Sequence, residues 1–452
     1  MTELDPSAVG DDYEIGAAAT DITPPVGIPL AGNFRDDYAS RGVHSPLRSR
    51  ALVVRKDGAA VALIVADLLT LPEVLARRVR EQVRRLCGLE PEQVLVAATH
   101  THSGPAIEAV AGPDCASAAI EHVLPGIVQS CVRAFHSLKP MHLWSASACV
   151  DGVFFNRRLR LRDGSTVMNW TLPGKDAIDR PLGPVDPEIG LLLAGSERDR
   201  PTLIAVNAAL HAAVLAGDNW LMNPDWPGYY YAAVAQVFGP DTVAMFLQGA
   251  EGNVNHIDAL DPLQGRGFKE AQRIGSVMGL AAAQARFAAQ PASGPVAWSS
   301  ECVSLPPRRI TEEQLARARQ TISEKDASGQ SPRGQVDGIP DVIFAADQIR
   351  LAHEMPPYCA EIQTLRIGDV AIVGLPGEFF VEFGLAVKAA SPARVTLVVG
   401  LANGSLGYVP TAAAFDEGGY EPTPWRYSRL ASEAGTLCTE SATRQLAALF
   451  TP

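Results

Sequence analysis

Short apolar runs bounded by Gly, Pro, Asn or Asp alternate along this chain with longer segments whose apolar residues recur every three or four positions. The short runs predict strands over 51–55, 61–66, 92–97, 141–148, 191–195, 203–210, 245–247, 347–351, 358–367, 370–375 and 395–401. The longer segments predict helices over 72–87, 230–237, 270–289, 312–324, 380–390 and 433–449. A further helix is predicted over 113–138, kinked or broken at Pro125, where the ring removes a backbone donor. Asp57-Gly58 between the first two strands predicts a hairpin turn. A helix between the strands at 61–66 and 92–97 gives a strand-helix-strand order. The fold class expected is therefore α/β, with a mixed β-sheet core and flanking helices. Residues 14–450 are expected to form one domain. The polar stretch 326–341 is expected to be a flexible loop within it.

The composition narrows the functional classes. The chain of 452 residues is 47% hydrophobic and 19% charged, as soluble globular proteins are. Its formal charge of −12 leaves no basic stripe to neutralise phosphates, so no nucleic-acid partner is expected. No apolar segment free of breakers is long enough to span a bilayer, and no secretory leader is visible, so the expected location is cytoplasmic. The seven cysteines include no Cys-x-x-Cys pair, and reduced, mostly buried thiols are expected. A small-molecule substrate fits best, and a homo-oligomeric assembly is compatible.

The candidate chemistry starts at Thr99-His100-Thr101-His102-Ser103-Gly104-Pro105, after the strand at 92–97. In an extended segment His100 and His102 point to one face. Such a pair can bind a metal or move protons; buried, hydrogen-bonded imidazoles are the alternative. Four other strands end at candidate residues. Asp67 closes one, as a site acid or a helix cap. His211 closes another, as a ligand or a core residue. Glu251 lies in Gln248-Gly249-Ala250-Glu251-Gly252-Asn253, as a proton shuttle or a solvated acid. Glu378 follows a strand in Pro376-Gly377-Glu378-Phe379, as a functional carboxylate or a first-turn charge. Asp225 in Asn223-Pro224-Asp225-Trp226-Pro227-Gly228-Tyr229 suits either an imidazole partner or a cap. The basic turn ending in Arg157-Arg158 either holds a carbonyl or is a solvated charge cluster.

These residues, with Gly16-Ala17-Ala18-Ala19-Thr20-Asp21-Ile22-Thr23, Val43-His44-Ser45-Pro46-Leu47 and Gly407-Tyr408-Val409, carry a resemblance to the catalytic domain of the neutral/alkaline non-lysosomal ceramidase family, over residues 14–445. The Thr-His-Thr-His-Ser-Gly run is its most distinctive part. The resemblance implies a catalytic zinc held by His100, His211, Glu378 and Tyr408. It also implies that His102 is a hydrogen-bond partner near the site and that Arg157 lies at the carbonyl being cleaved. Glu251 or His102 is the candidate base, Tyr408 a further catalytic candidate, and His44, Asp225, Gly249, Asn253 and Tyr420 are candidates around the substrate. Two departures stand out. The family's small-residue turn carries a serine after Gln where this chain has Gly249, which excludes attack by a side chain there and leaves metal-activated water as the nucleophile. The chain also ends where the family's C-terminal immunoglobulin-like domain would begin. The expected activity is thus zinc-dependent cleavage of the amide bond of a small or soluble substrate, N-acylated or not. Ceramide hydrolysis, lactone or ester hydrolysis, and a non-enzymatic binding role are the alternatives.

Overall fold

The computed structural model describes residues 13–35, 37–108, 113–261, 263–328, 335–353 and 357–451. Up to residue 285 the chain supplies β1 (Tyr13–Asp21), β2 (Arg48–Lys56), β3 (Ala59–Ala66), α1 (Glu73–Cys87), β4 (Val94–Ala98), α2 (Pro113–His136), β5 (Lys139–Cys149), β6 (Glu188–Gly195), β7 (Leu203–Ala208), α3 (Trp226–Phe238), β8 (Val243–Gln248) and α4 (Gly267–Ala285). The remainder supplies β9 (Val296–Leu305), α5 (Glu312–Ser328), α6 (Asp341–Leu351), β10 (Tyr358–Ile367), β11 (Val370–Gly374), α7 (Val381–Ala390), β12 (Val395–Val399) and α8 (Ala434–Phe450).

Two mixed sheets form the centre. The larger runs β8-β7-β6-β5-β1-β2-β3-β4, with Gln290–Pro291 added beside β5; the smaller runs β9-β10-β11-β12. They stack face to face through Leu52, Val54, Leu63, Val65, Leu95, Leu192 and Leu247 on one side and Leu365, Ile372, Leu397 and Val399 on the other. The opposite face of the larger sheet, including Val53, Ala62 and Ile64 at one end and Leu193 and Val206 at the other, is covered by α1 and α2 and by α3 and α4. The outer face of the smaller sheet, through Ala371, Val373 and Val398, packs on α7 and α8. The order is helix, sheet, sheet, helix. Both faces of the central strands are dry, which is why 61–66 and 370–375 read as unbroken apolar runs rather than as alternation.

Three strand-helix-strand units position the site. β3 pairs parallel with β4, β7 with β8, and β11 with β12. Their carboxyl ends are stitched together by the loop after β12: Asn403 N donates to Val96 O at 2.7 Å, and Gly400 N donates to Gln248 O at 2.9 Å. Gly400 is required there, because a Cβ would meet Gly249 O at 2.5 Å. In open α/β sheets the crevice at such strand ends is where chemistry collects.

Several local expectations hold. The Asp57-Gly58 hairpin has positive φ at both turn residues, the geometry that matches strand twist. In α1 the buried residues Leu75, Ala76, Val79, Arg80 and Val83 follow the helical period, and Gly88 closes the helix in the left-handed conformation on Arg84 O. Others are corrected. Residues 347–351 are helical, the end of α6: Phe344, Asp347 and Leu351 are buried at a spacing of three and four, a period that a five-residue window cannot display. Helix α2 runs through Pro125 without a break. Of the loop expected at 326–341, residues up to 328 continue α5, Gln335–Val336 pairs with Ile339–Pro340, and 329–334 lie outside the described residues. Reduced thiols throughout are not found, since Cys302 and Cys359 form a disulfide between the paired strands β9 and β10. Among the described residues no helix is long and apolar enough to cross a membrane.

Candidate metal centre

His100, His102, His211, Glu251 and Glu378 each lie one to four residues beyond a strand or bridging segment at these carboxyl ends, and they meet in space. The Nε2 atoms of His100 and His102 are 3.3 Å apart. Glu378 Oε2 is 3.3 Å from His100 Nε2 and 3.4 Å from His211 Nε2, yet makes no well-aligned hydrogen bond. One ligand atom each from His100, His102 and His211, or from His100, Glu251 and Glu378, falls within 4.8 Å of its fellows.

The pair that opens the site converges for a different reason from the one its sequence suggests. The strand stops at Ala98, and His100 adopts φ +66°, so it is not part of an extended run. A non-glycine residue in that region is strained and persists only where its surroundings enforce it. Here the ring's Nδ1 is held by Leu69 O at 2.8 Å. His102 is held from behind, since its carbonyl accepts from Asn33 Nδ2 and Arg35 Nη2, both at 3.3 Å. Gly32 lies so close to His102 that a Cβ would come within 2.6 Å of it.

The outer hydrogen bonds fix the proton positions of two rings. His100 Nδ1 faces Leu69 O, and His211 Nδ1 faces Glu251 O and Val254 O, both at 3.0 Å. A carbonyl only accepts, so each Nδ1 carries a proton, and in the neutral ring each Nε2 presents a lone pair to the centre. Lone pairs from two imidazoles and a carboxylate thus point at one another inside a buried space, an arrangement that a divalent cation satisfies. Two His and one Glu with an open position is a zinc donor set, and the residues present fit that group.

Burial disfavours the charged form of His100, but Glu378 and Glu251 outweigh it and hold its imidazolium above the ordinary range. Burial pushes the His211 imidazolium down to about 3, with Arg157 adding to the effect. The His102 imidazolium is also driven well below its ordinary range, by burial and by the neighbouring His100 and His211. Glu378 is held ionised well below the usual carboxylate range: burial opposes ionisation, but His100 and His211 outweigh it. Glu251, by contrast, is pushed up to about 8 by burial, and neither of its oxygens has a hydrogen-bond partner.

Arg157 forms the opposite wall. Its guanidinium is buried; Nη1 donates to His211 Nε2 at 3.0 Å, Nε donates to Glu421 at 2.7 Å, and Nη2 makes no well-aligned hydrogen bond, although the Tyr408 hydroxyl interacts with the guanidinium. Around it stand Trp170, Tyr408 and Tyr420, with ring centroids 5.2, 5.2 and 5.9 Å from its central carbon. Tyr408 sits beside Glu378 because Glu378–Phe379 and Tyr408–Val409 pair in parallel. Its hydroxyl is raised well above the ordinary phenol range, by burial and by the charge of Glu378.

Four of the expected substrate contacts take other roles. His44 is exposed and stacks on Phe268 at 4.2 Å. Asn253 commits both ends of its amide, donating to Glu382 and accepting from Val381 N, while its carbonyl receives Arg157 N. A Cβ on Gly249 would meet Ala209 Cα and N at 2.8 Å, so the position faces the backbone after β7, and a serine there would not be aimed at the centre. Asp225 is no imidazole partner: its carboxylate accepts from the backbone N–H groups of Val214, Leu215 and Trp226, at φ +62°. It thereby shapes the turn that follows His211. Tyr420 alone of the five lines the Arg157 wall. Asp67, for its part, pairs with Arg50 at 2.9 Å rather than entering the site or capping α1.

Burial raises the Asp225 carboxyl to about 6. The folded protein therefore takes up this proton more readily than the unfolded chain, whose aspartate titrates near 4. Relative to an Asp225→Asn variant, the wild type should lose about 3 kcal/mol of unfolding free energy as pH rises from about 4 through about 6. Urea unfolding of both proteins at pH 4.5 and 7 checks this; a difference independent of pH would contradict it.

The residue that sequence reasoning missed is Glu421. It is fully buried and binds Arg157 through Oε1 and Arg158 Nη1 through Oε2, the latter at 2.8 Å. The available signal was an acid directly after Gly418-Gly419-Tyr420, and two adjacent arginines in need of a counter-charge.

Comparison with known proteins identifies the family. The profile of the family "Neutral/alkaline non-lysosomal ceramidase, N-terminal" matches residues 13–254, more than half of the chain. The neutral ceramidase of Mycobacterium tuberculosis is 25% identical across 90% of this chain and 73% of its own length. That of Pseudomonas aeruginosa is 25% identical across 93% and 70%. The crystal structure of neutral ceramidase from Pseudomonas aeruginosa superposes with a TM-score of 0.74 at 20% identity, covering 97% of this chain and 74% of that one. On the family match, the chain belongs to the neutral/alkaline non-lysosomal ceramidase family.

Proposed function

We propose that this chain is a zinc-dependent amidohydrolase that cleaves the amide of an N-acyl sphingoid base, with residues 14–450 acting as one catalytic unit. The observation that carries the reading is the convergence of two imidazole Nε2 atoms and a carboxylate oxygen beside a buried guanidinium nitrogen that makes no well-aligned hydrogen bond. The substrate class is supported by the names of the relatives aligned with 90% and 93% of the chain, both neutral ceramidases. A compact, soluble amide was expected from two departures from the family pattern; of these, Gly249 packs against the backbone of Ala209 and carries no information on substrate size.

His100, His211 and Glu378 would hold the metal, His211 Nε2 exchanging its Arg157 Nη1 hydrogen bond for the ion, with Tyr408 beside Glu378 as a fourth donor once its proton is drawn off. When bound, zinc supplies a Lewis acid for the carbonyl and lowers the pKa of water. The chain's own groups do the rest. Arg157 Nη2 donates to the oxygen on which negative charge develops, from a site that excludes water and so keeps the interaction strong. Glu251, with both oxygens uncommitted and its carboxyl raised to about 8, takes the proton from the attacking water in its ionised form. Glu251 then returns that proton to the departing amine, with His102, the half-buried and neutral member of the cluster, relaying it.

The test is fatty-acid release from a short-chain N-acylsphingosine and from a soluble N-acyl amine, with and without a chelator. The expected result is kcat/KM at least about tenfold higher for the sphingoid amide, since apolar contacts alone discriminate to that degree. Chelation should abolish turnover, and zinc should restore it. Cleavage of only the soluble amide would restore the compact-substrate reading.

A further inference from the structure

An arginine can donate to a substrate only if its fork is turned the right way. Arg157 has five N–H donors, and the fold commits them unequally. Its backbone is pinned on both sides, with N donating to Asn253 O at 2.9 Å and O accepting from Asn169 N at 2.7 Å. Its Nε, at the rear of the fork, meets Glu421 Oε1 at 2.7 Å. That leaves the two terminal nitrogens facing forward, Nη1 on His211 and Nη2 without a well-aligned hydrogen bond.

Glu421 is itself braced. Its second oxygen takes Arg158 Nη1 at 2.8 Å, and Arg158 Nη2 reaches Gly418 O at 2.8 Å and Glu417 Oε2 at 3.3 Å. All three side chains of the Arg157-Glu421-Arg158 bridge are at least nine-tenths buried. A lone ion pair at this depth adds little to stability, because desolvation cancels most of the attraction; a rigid orientation is what such a pair can supply. The bridge also spans far in sequence, tying the turn at 157–158 to the loop at 417–421 that carries Tyr420.

We propose that Glu421 is a positioning residue for Arg157: it holds the rear of the guanidinium so that Nη2 is presented to the substrate's carbonyl oxygen. This deepens the amidohydrolase reading and rests on it for its catalytic meaning, but the holding itself does not depend on any substrate.

The experiment separates the two. In an Arg157→Ala variant the vacated space keeps Glu421 at one end, and added guanidinium ion should bind there. At millimolar guanidinium hydrochloride, well below denaturing levels, the Arg157→Ala protein should gain several degrees in melting temperature over a matched sodium chloride control. The Arg157→Ala/Glu421→Gln protein should gain none. An equal response from both, or a response from neither, would overturn the proposal whatever the enzyme cleaves. Kinetically, Glu421→Gln should lower kcat by about 10- to 100-fold with KM and zinc content little changed, as expected when an outer partner misorients a catalytic group. In the Arg157→Met background the same substitution should cost nothing further. Full additivity would show that Glu421 acts by another route. If wild-type turnover is not found at all, the guanidinium result still stands or falls alone, and only the amidohydrolase reading fails.

Discussion

Alanine at His211 is expected to lower zinc affinity by more than about 100-fold and to abolish measurable hydrolysis, while leaving the protein folded. Outer partners of metal ligands cost about 10- to 100-fold in affinity when removed, so the loss of a ligand exceeds that range. His211 carries more than one duty. Its Nδ1 proton is fixed by Glu251 O and Val254 O, and its Nε2 is the atom that Glu378 and Arg157 both approach. The fold should survive because Trp226 Nε1 hydrogen-bonds the backbone carbonyl of residue 211, not its ring, and the next turn is organised by Asp225. Equilibrium dialysis against zinc, read beside fatty-acid release and the thermal transition, checks each part. Unchanged turnover would remove His211 from the centre.

Methionine at Arg157 should reduce kcat by about 10²- to 10³-fold, the usual cost of losing one donor to a developing oxyanion. Zinc content should not change, because Arg157 contributes no metal ligand. KM should move much less than kcat, since the donor matters most when charge has developed. Lysine should rescue poorly: it restores the charge but not the fork that engages Glu421 and the centre together. The same substitution leaves Glu421 buried with only Arg158 to balance it, so a modest fall in stability is expected as well. A loss in kcat no larger than the loss seen when an exposed arginine is replaced would contradict the assigned role.

The residues that the sequence made legible are those whose chemistry is rare or whose backbone pattern is local. The apolar runs at 61–66 and 370–375 announce strands, and the ends of such strands are where His100, His211 and Glu378 stand. Glu378 was readable as a candidate because it follows a strand and precedes a helix, a place that suits a functional carboxylate or a first-turn charge. What was not legible depends on partners distant in the chain. Asp225 next to a helix start suits a cap or an imidazole partner equally well, and only the fold brings the N–H groups of Val214 and Leu215 to it. Gly249 looked like a missing nucleophile because its direction is invisible in one dimension; in space it faces the backbone of Ala208 and Ala209. Glu421 gave almost no signal, since its importance comes from a contact 264 residues away. The His100 and His102 pair was found for an insufficient reason: period two would align them in a strand, but a left-handed turn at His100 is what brings the two rings together.

The central claim is that His100, His211 and Glu378 form a metal centre. It is tested most directly by elemental analysis of protein purified without chelators, followed by X-ray absorption at the zinc edge. The prediction is about one zinc per chain, coordinated by two imidazoles and oxygen donors, and lost together with activity in His100→Ala. Active protein that contains no divalent metal, or zinc retained in full by the His100→Ala variant, would contradict it.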